Sequence, residues 1–276
     1  METPEYDTAN APLIEAPQEP ADDSAPGTLA PAWHTGVLIA WILAMSLSGS
    51  SRLATLHGAP TRLWTYGVTA AMELAMLGWV ALGLRLRRIP LRSIFGAIDG
   101  GMRTIARDLG IALVFWIGAL MVLGSLGIAW AGAEAVIKRA HPAAGQTAPQ
   151  VSSQRQTARM LAQLAPANAE EVVGWALLCM LVGMVEETVF RGYLQRQFSA
   201  WARGGAAAGV IFSALIFGAA HGYQGARNMV MLAVFGVLFS LLAHFRRSLR
   251  AGIFAHSWHD LITGVALGLL KSHHLL

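Results

Sequence analysis

Apolar residues run through this chain in unbroken blocks, not in the alternation of half-buried strands or the narrow stripe of a soluble amphipathic helix. The blocks cover 34–51, 64–84, 109–132, 170–190, 205–221, 228–245 and 251–270, and crossing a bilayer takes about 20 such residues. A backbone in lipid must satisfy its own hydrogen bonds, so each block predicts an α-helix. The expected fold is an all-α polytopic membrane protein with about seven transmembrane helices.

Composition agrees. Of 276 residues, 55% are hydrophobic and 13% charged, where an ordinary soluble domain carries about a quarter charged residues. One cysteine, Cys179, excludes an intrachain disulfide or a cysteine-based zinc cluster. Residues 1–32 hold seven acids, no Lys or Arg, and six of the eleven prolines, which predicts a disordered acidic tail with no signal peptide. Residues 33–276 form the membrane domain, with a protease-like core over about 170–270. From residue 33 on, 20 bases face 9 acids. That excess needs no nucleic-acid partner, because Lys and Arg at span ends act as topology signals. Arg85, Arg87, Arg88, Arg92, Arg103 and Arg107 separate the second and third blocks, placing that loop and the N-terminus in the cytoplasm. Ile89–Asp108, with Pro90 and a Gly100-Gly101 break, suits the cytoplasmic interface. Residues 133–169 read as an outside loop, with a surface helix around Val151–Leu164.

Charge inside a span is costly and marks function. Four acids lie within the apolar blocks, Glu73, Glu186, Glu187 and Asp260, and two embedded histidines, His221 and His256, fall with three of those acids in the last third of the chain. A polar site among the C-terminal four helices is expected. On a helix Glu187 and Arg191 are i,i+4 neighbours, acid before base, and neutralise each other. Glu186 is rotated from Glu187 by about 100° and is free for another partner. Phe217 stands four residues before His221, followed by Gly218, Ala219 and Ala220, which admit a neighbouring helix. His256 and Asp260 share one helical face, and His259 points elsewhere. Counted along the helices, Glu186 lies roughly 20 Å above its turn, His221 roughly 25–30 Å and His256 only about 10 Å. The last hairpin must therefore be displaced toward the membrane centre if these groups meet.

At these residues the chain resembles the CAAX prenyl endopeptidase and bacteriocin-processing (CPBP, or Abi) family of intramembrane proteases. The motifs are Glu186-Glu187-Thr188-Val189-Phe190-Arg191, Phe217 to His221, and His256 to Asp260, in the family's order. The resemblance covers about Glu170–Leu270 and implies a role for each residue. Glu186 is the general base that activates a water, with Glu187 and Arg191 as its supporting pair. His221 and His256 hold that water, directly or through a divalent metal such as Zn2+, and Asp260 fills the last place of the third motif. The resemblance implies a metalloprotease, since the family is commonly described as metal-dependent, and a metal-free glutamate mechanism is also argued for it. Many members carry Asn where this chain has Asp260, and the added negative charge would favour a cation.

Peptide hydrolysis needs a nucleophilic water and a donor for the developing oxyanion. A carboxylate with two imidazoles supplies both kinds of group, and no Gly-x-Ser-x-Gly elbow points to a serine hydrolase instead. The leading expectation is an intramembrane endopeptidase acting on a membrane-associated peptide or protein. A bacterial-style composition favours peptide processing, an immunity role or regulatory cleavage in a bacterial inner membrane over maturation of prenylated proteins. Two other classes stay open: a non-catalytic scaffold or immunity protein that keeps the motifs as a polar helix clamp, and a proton-coupled carrier. No internal repeat supports the carrier. Glu73 separates these readings, since a carrier requires it to join the polar cluster, whereas a protease leaves it a local partner or an interfacial position.

Overall fold

The computed structural model describes residues 27–55, 61–96, 101–140 and 161–273. The chain runs through α1 (Ala32–Thr55), α2 (Arg62–Leu86), α3 (Met102–Ala140) and α4 (Ala169–Glu186). A π-helical stretch, Glu187–Leu194, carries α4 into α5 (Gln195–Trp201), followed by α6 (Ala206–Ala220), α7 (Ala226–Arg246) and α8 (Arg250–Ser272). Two helix starts follow from sequence: the side chains of Thr61 and Asn168 accept from the backbone N–H groups of Trp64 and Glu171, as polar N-caps do.

Every expected apolar block meets a helix. Among the described residues five helices are long and apolar enough to cross a membrane, and Ala32–Ser48 and Ala206–Ala220 are shorter apolar ones. Val114, Met121 and Ile128 of α3 turn outward, the inverse of a soluble protein and what a lipid solvent calls for. Residues 1–26 of the expected tail, Gly100 and positions 141–160 of the expected outside loop lie outside the described residues. Within the last residues of the expected tail, Leu29 and Ala30 are buried, and their N–H groups donate to Gln197 Oε1 at 2.7 and 3.2 Å.

Small residues set the helix spacing in the C-terminal half. A side chain at Gly183 would run into Ser257 of α8, one at Gly218 into Met229 and Ala233 of α7, and one at Gly236 into Ala214 of α6. Such close backbone approach is how helices associate where no hydrophobic drive operates between them.

The displacement required of the last hairpin is present and has identifiable causes. Leu249, in the turn between α7 and α8, packs on Gly192, roughly 12 Å of helix short of Trp201. The turn therefore stops well inside the level reached by the α4–α5 rod. Beneath it lies the chain after α2: Leu249 N–H donates to Phe95 O at 3.1 Å and Gly96 pairs with Ser248. Gly96 has φ +77° and faces the Arg247 carbonyl so closely that no Cβ would fit. Asp108 of α3, buried, accepts from Arg246 at 3.0 Å and lies 2.8 Å from Arg250, pinning both sides of the turn.

Candidate active site

Raising that turn lifts His256, on the second turn of α8, to the level where α4 gives way to the π-helical stretch. His256 Nδ1 stands 3.0 Å from Glu187 Oε1 and Nε2 stands 3.5 Å from Glu186 Oε2. One turn further along α8, Asp260 Oδ2 lies 3.8 Å from the same Nε2. A carboxylate only accepts, so Nδ1 donates to Glu187 and the other nitrogen is presented to Glu186 and Asp260.

The two glutamates differ in environment. Glu187 is fully buried and Arg191 Nη1 donates to its Oε1 at 2.9 Å. The guanidinium lies over the Phe217 ring, 4.4 Å from its centroid, and its Nη2 donates to the Gly236 carbonyl at 3.4 Å. A buried charge is tolerated when paired and hydrogen-bonded in this way. Glu186 carries no such cation, and its side chain keeps 15% exposure. The motif residues from Glu187 onward sit in π-helical geometry, a local widening that occurs preferentially at functional positions. An ordinary α-helix was the expectation for this stretch; the Glu187–Arg191 pairing survives the change.

His221 caps the end of α6, where its Nδ1 donates to the Phe217 carbonyl at 2.8 Å. That bond leaves Nε2 as the open nitrogen of the ring. Ser46 of α1 holds this turn, donating to the Ala219 carbonyl at 2.6 Å and accepting from Gly222 N–H at 3.0 Å. Among the described residues no hydrogen bond joins His221 to Glu186 or His256. The link is the Phe217 ring, centred 4.9 Å from the His221 ring and 6.1 Å from His256. His259 turns to α3, where Trp116 Nε1 donates to its Nδ1 at 3.5 Å.

Residues 168–262 match the family model described as type II CAAX prenyl endopeptidase Rce1-like. This stretch, well under half of the chain, is similar to that family. Neither the curated proteins nor the solved structures contain a match. The Rce1-like region spans α4 through most of α8, so every residue of the three motifs lies inside it, and α1, α2 and α3 lie outside.

Among the described residues no three His, Cys, Asp or Glu side chains are arranged to hold an ion; His256 spends Nδ1 on Glu187, and His221 stands off behind Phe217.

Glu73 corrects the expectation attached to a protease. Among the described residues it has no ion-pair partner, and it lies midway along α2. Its residue is 9% exposed on α2, Oε2 is fully buried without a hydrogen bond, and the carboxyl is within electrostatic reach of Glu186, His256 and Asp260. The sequence alone cannot show this, because α2 crosses about a hundred residues before the first motif. Other contributors were not singled out. Gly236, Phe235 and Phe239 of α7 wall the Arg191 and His256 side chains, and no sequence signal separates them from lipid-facing residues. Tyr223, just past His221, accepts from Gln224 Nε2 at 3.0 Å near Glu186 and Asp260. Burial pushes its phenol up, so the hydroxyl keeps its proton.

Proposed function

We propose that the chain is an intramembrane endopeptidase in which Glu186 is the general base. The observation that carries this reading is the division between the two glutamates: Glu187 is sealed and neutralised by Arg191, while the accessible Glu186 faces His256 Nε2 at 3.5 Å. The Glu186 carboxylate takes a proton from water, and the water oxygen attacks the scissile carbonyl carbon. His256 Nε2 and the Tyr223 hydroxyl lie on hand as donors to the oxyanion that forms. The tetrahedral intermediate collapses with cleavage of the C–N bond, and Glu186 returns its proton to the leaving amine. Glu187 and Arg191 act by fixing the imidazole through Nδ1, and Asp260 orients the same ring from its other side. His221 lines the site from the Phe217 side. In this reading Glu186 activates the water directly.

The substrate in this reading is a membrane-associated peptide or protein, delivered from the bilayer. An inner bacterial membrane with a cytoplasmic N-terminus fits the arginine distribution. The test uses the full chain reconstituted in vesicles with a quenched prenylated CAAX peptide and, in parallel, an unprenylated membrane-anchored peptide. Products are identified by mass spectrometry. Glu186→Gln keeps shape and removes basicity, so cleavage is expected to be lost with the melting temperature nearly unchanged. Equal cleavage by this variant rejects the role.

A proton-coupled carrier is the second reading, favoured by one observation, the entry of Glu73 into the polar cluster.

A further inference from the structure

Four carboxyl groups, those of Glu73, Glu186, Glu187 and Asp260, contribute to one polar region between the helices, with Glu73 and Glu187 buried and Glu186 and Asp260 partly exposed. Arg191 neutralises Glu187, and His256 faces Glu187, Glu186 and Asp260. Among the described residues no ion pair reaches Glu73. It comes from α2, the helix packed along α4, its Oε2 is buried without a hydrogen-bond partner, and Glu186, His256 and Asp260 act on it electrostatically. A carboxylate there would be an unpaired buried anion beside like charges, the costliest arrangement for such a group. A protonated carboxyl removes that repulsion and gains an O–H donor.

We propose that Glu73 is a further positioning residue of this site: it stays uncharged and donates a hydrogen bond that holds the attacking water against Glu186. This rests on the endopeptidase reading given above. It adds to that reading a residue outside the Rce1-like stretch of 168–262, on the helix that packs along α4. In the reaction Glu73 gives up no proton. Its O–H points one lone pair of the water toward α2, leaving a water hydrogen for the Glu186 carboxylate and the second lone pair for the carbonyl carbon. The proton balance of the hydrolysis stays with Glu186.

The discriminating property is neutrality. Glutamine is also uncharged and also donates, so Glu73→Gln is expected to cleave within about threefold of wild type, whereas Glu73→Ala and Glu73→Leu lose tenfold or more, mainly in kcat. A role that needs a charge or a mobile proton, as in a carrier, predicts instead that Glu73→Gln fails as badly as Glu73→Ala, and that result overturns the proposal. A second measurement is independent of activity. Infrared spectra of the purified full chain in detergent at neutral pH are expected to contain a protonated-carboxyl C=O band that disappears in Glu73→Gln, and a wild-type spectrum identical to the variant's there also overturns it. Glu186→Gln, run alongside, keeps the two readings apart. If that variant cleaves normally the endopeptidase assignment fails, whereas loss of cleavage in Glu186→Gln with equal loss in Glu73→Gln and Glu73→Ala removes only the neutral-donor role.

Discussion

Glu187 receives Arg191 and His256 on one oxygen: Nη1 at 2.9 Å and Nδ1 at 3.0 Å from Oε1. The pair of the first motif and the histidine of the third are thus one unit, and damage to either travels to the ring that faces Glu186. Arg191→Ala leaves Glu187 as an uncompensated buried charge, which typically costs about 3–5 kcal/mol. Both the melting temperature in detergent and cleavage are expected to fall. Arg191→Lys is expected to restore little, because an ammonium lacks the planar fork that meets Glu187 and Gly236 while stacking on Phe217. An unchanged melting temperature in Arg191→Ala would count against the pair.

Gly252 tests the same unit from the opposite side. A Cβ built there would lie 3.0 Å from Glu187 Oε2, an oxygen already buried without a hydrogen bond. Two effects of Gly252→Ala oppose each other. Helix propensity gains up to about 1 kcal/mol, and crowding the carboxylate costs roughly 1–3 kcal/mol. Stability is expected to change little, but the Glu187 carboxylate must shift and His256 shifts with it. Cleavage is expected to drop about tenfold, and a fully active variant would mean that the carboxylate has room to spare.

The height of the last hairpin rests on Asp108. Its carboxylate holds Arg246 and Arg250, which keep 31% and 17% exposure, while Arg107 stands 3.9 Å away and is mostly exposed. Asp108→Ala is expected to cost about 1–3 kcal/mol, between the values for exposed and buried pairs. It is also expected to lower cleavage, because the start of α8 carries His256. Arg107→Ala is expected to leave both unchanged. Thermal unfolding and cleavage measured on the two variants separate a clamp from a general surface charge.

What the sequence made legible follows from two strong signals. Lipid demands long apolar helices, so all seven blocks reappear as helices, and the rarity of ions in spans singled out Glu186, Glu187, His256 and Asp260, which meet around one imidazole. The illegible parts depend on tertiary contact. Helix counting leaves His256 about 10 Å too low; the missing lift comes from Phe95, Gly96 and Asp108, residues in the connection before α3 and at its start, with no marking beyond a mixture of arginines and apolar side chains. His221 keeps its local bond to Phe217 in place of a direct bond to Glu186. Glu73 was visible as an intramembrane acid, but its direction was not, since the rotation of α2 is set by contacts such as Gly174 against Leu63 and Tyr66.

Asp260 decides whether charge or shape matters in the third motif. Its Oδ2 lies 3.8 Å from His256 Nε2, and its side chain is 29% exposed. At that distance and exposure the electrostatic gain is small, while the oxygen remains a suitable acceptor to orient the ring. Asn has the same size and keeps one acceptor oxygen. Asp260→Asn is therefore expected to cleave within about threefold of wild type, with and without a chelator, whereas Asp260→Ala is expected to lose about tenfold through a freely turning imidazole. Activity that collapses in Asp260→Asn, in a wild type that chelation also silences, would show that the negative charge recruits a cation and that Glu186 does not activate the water by itself.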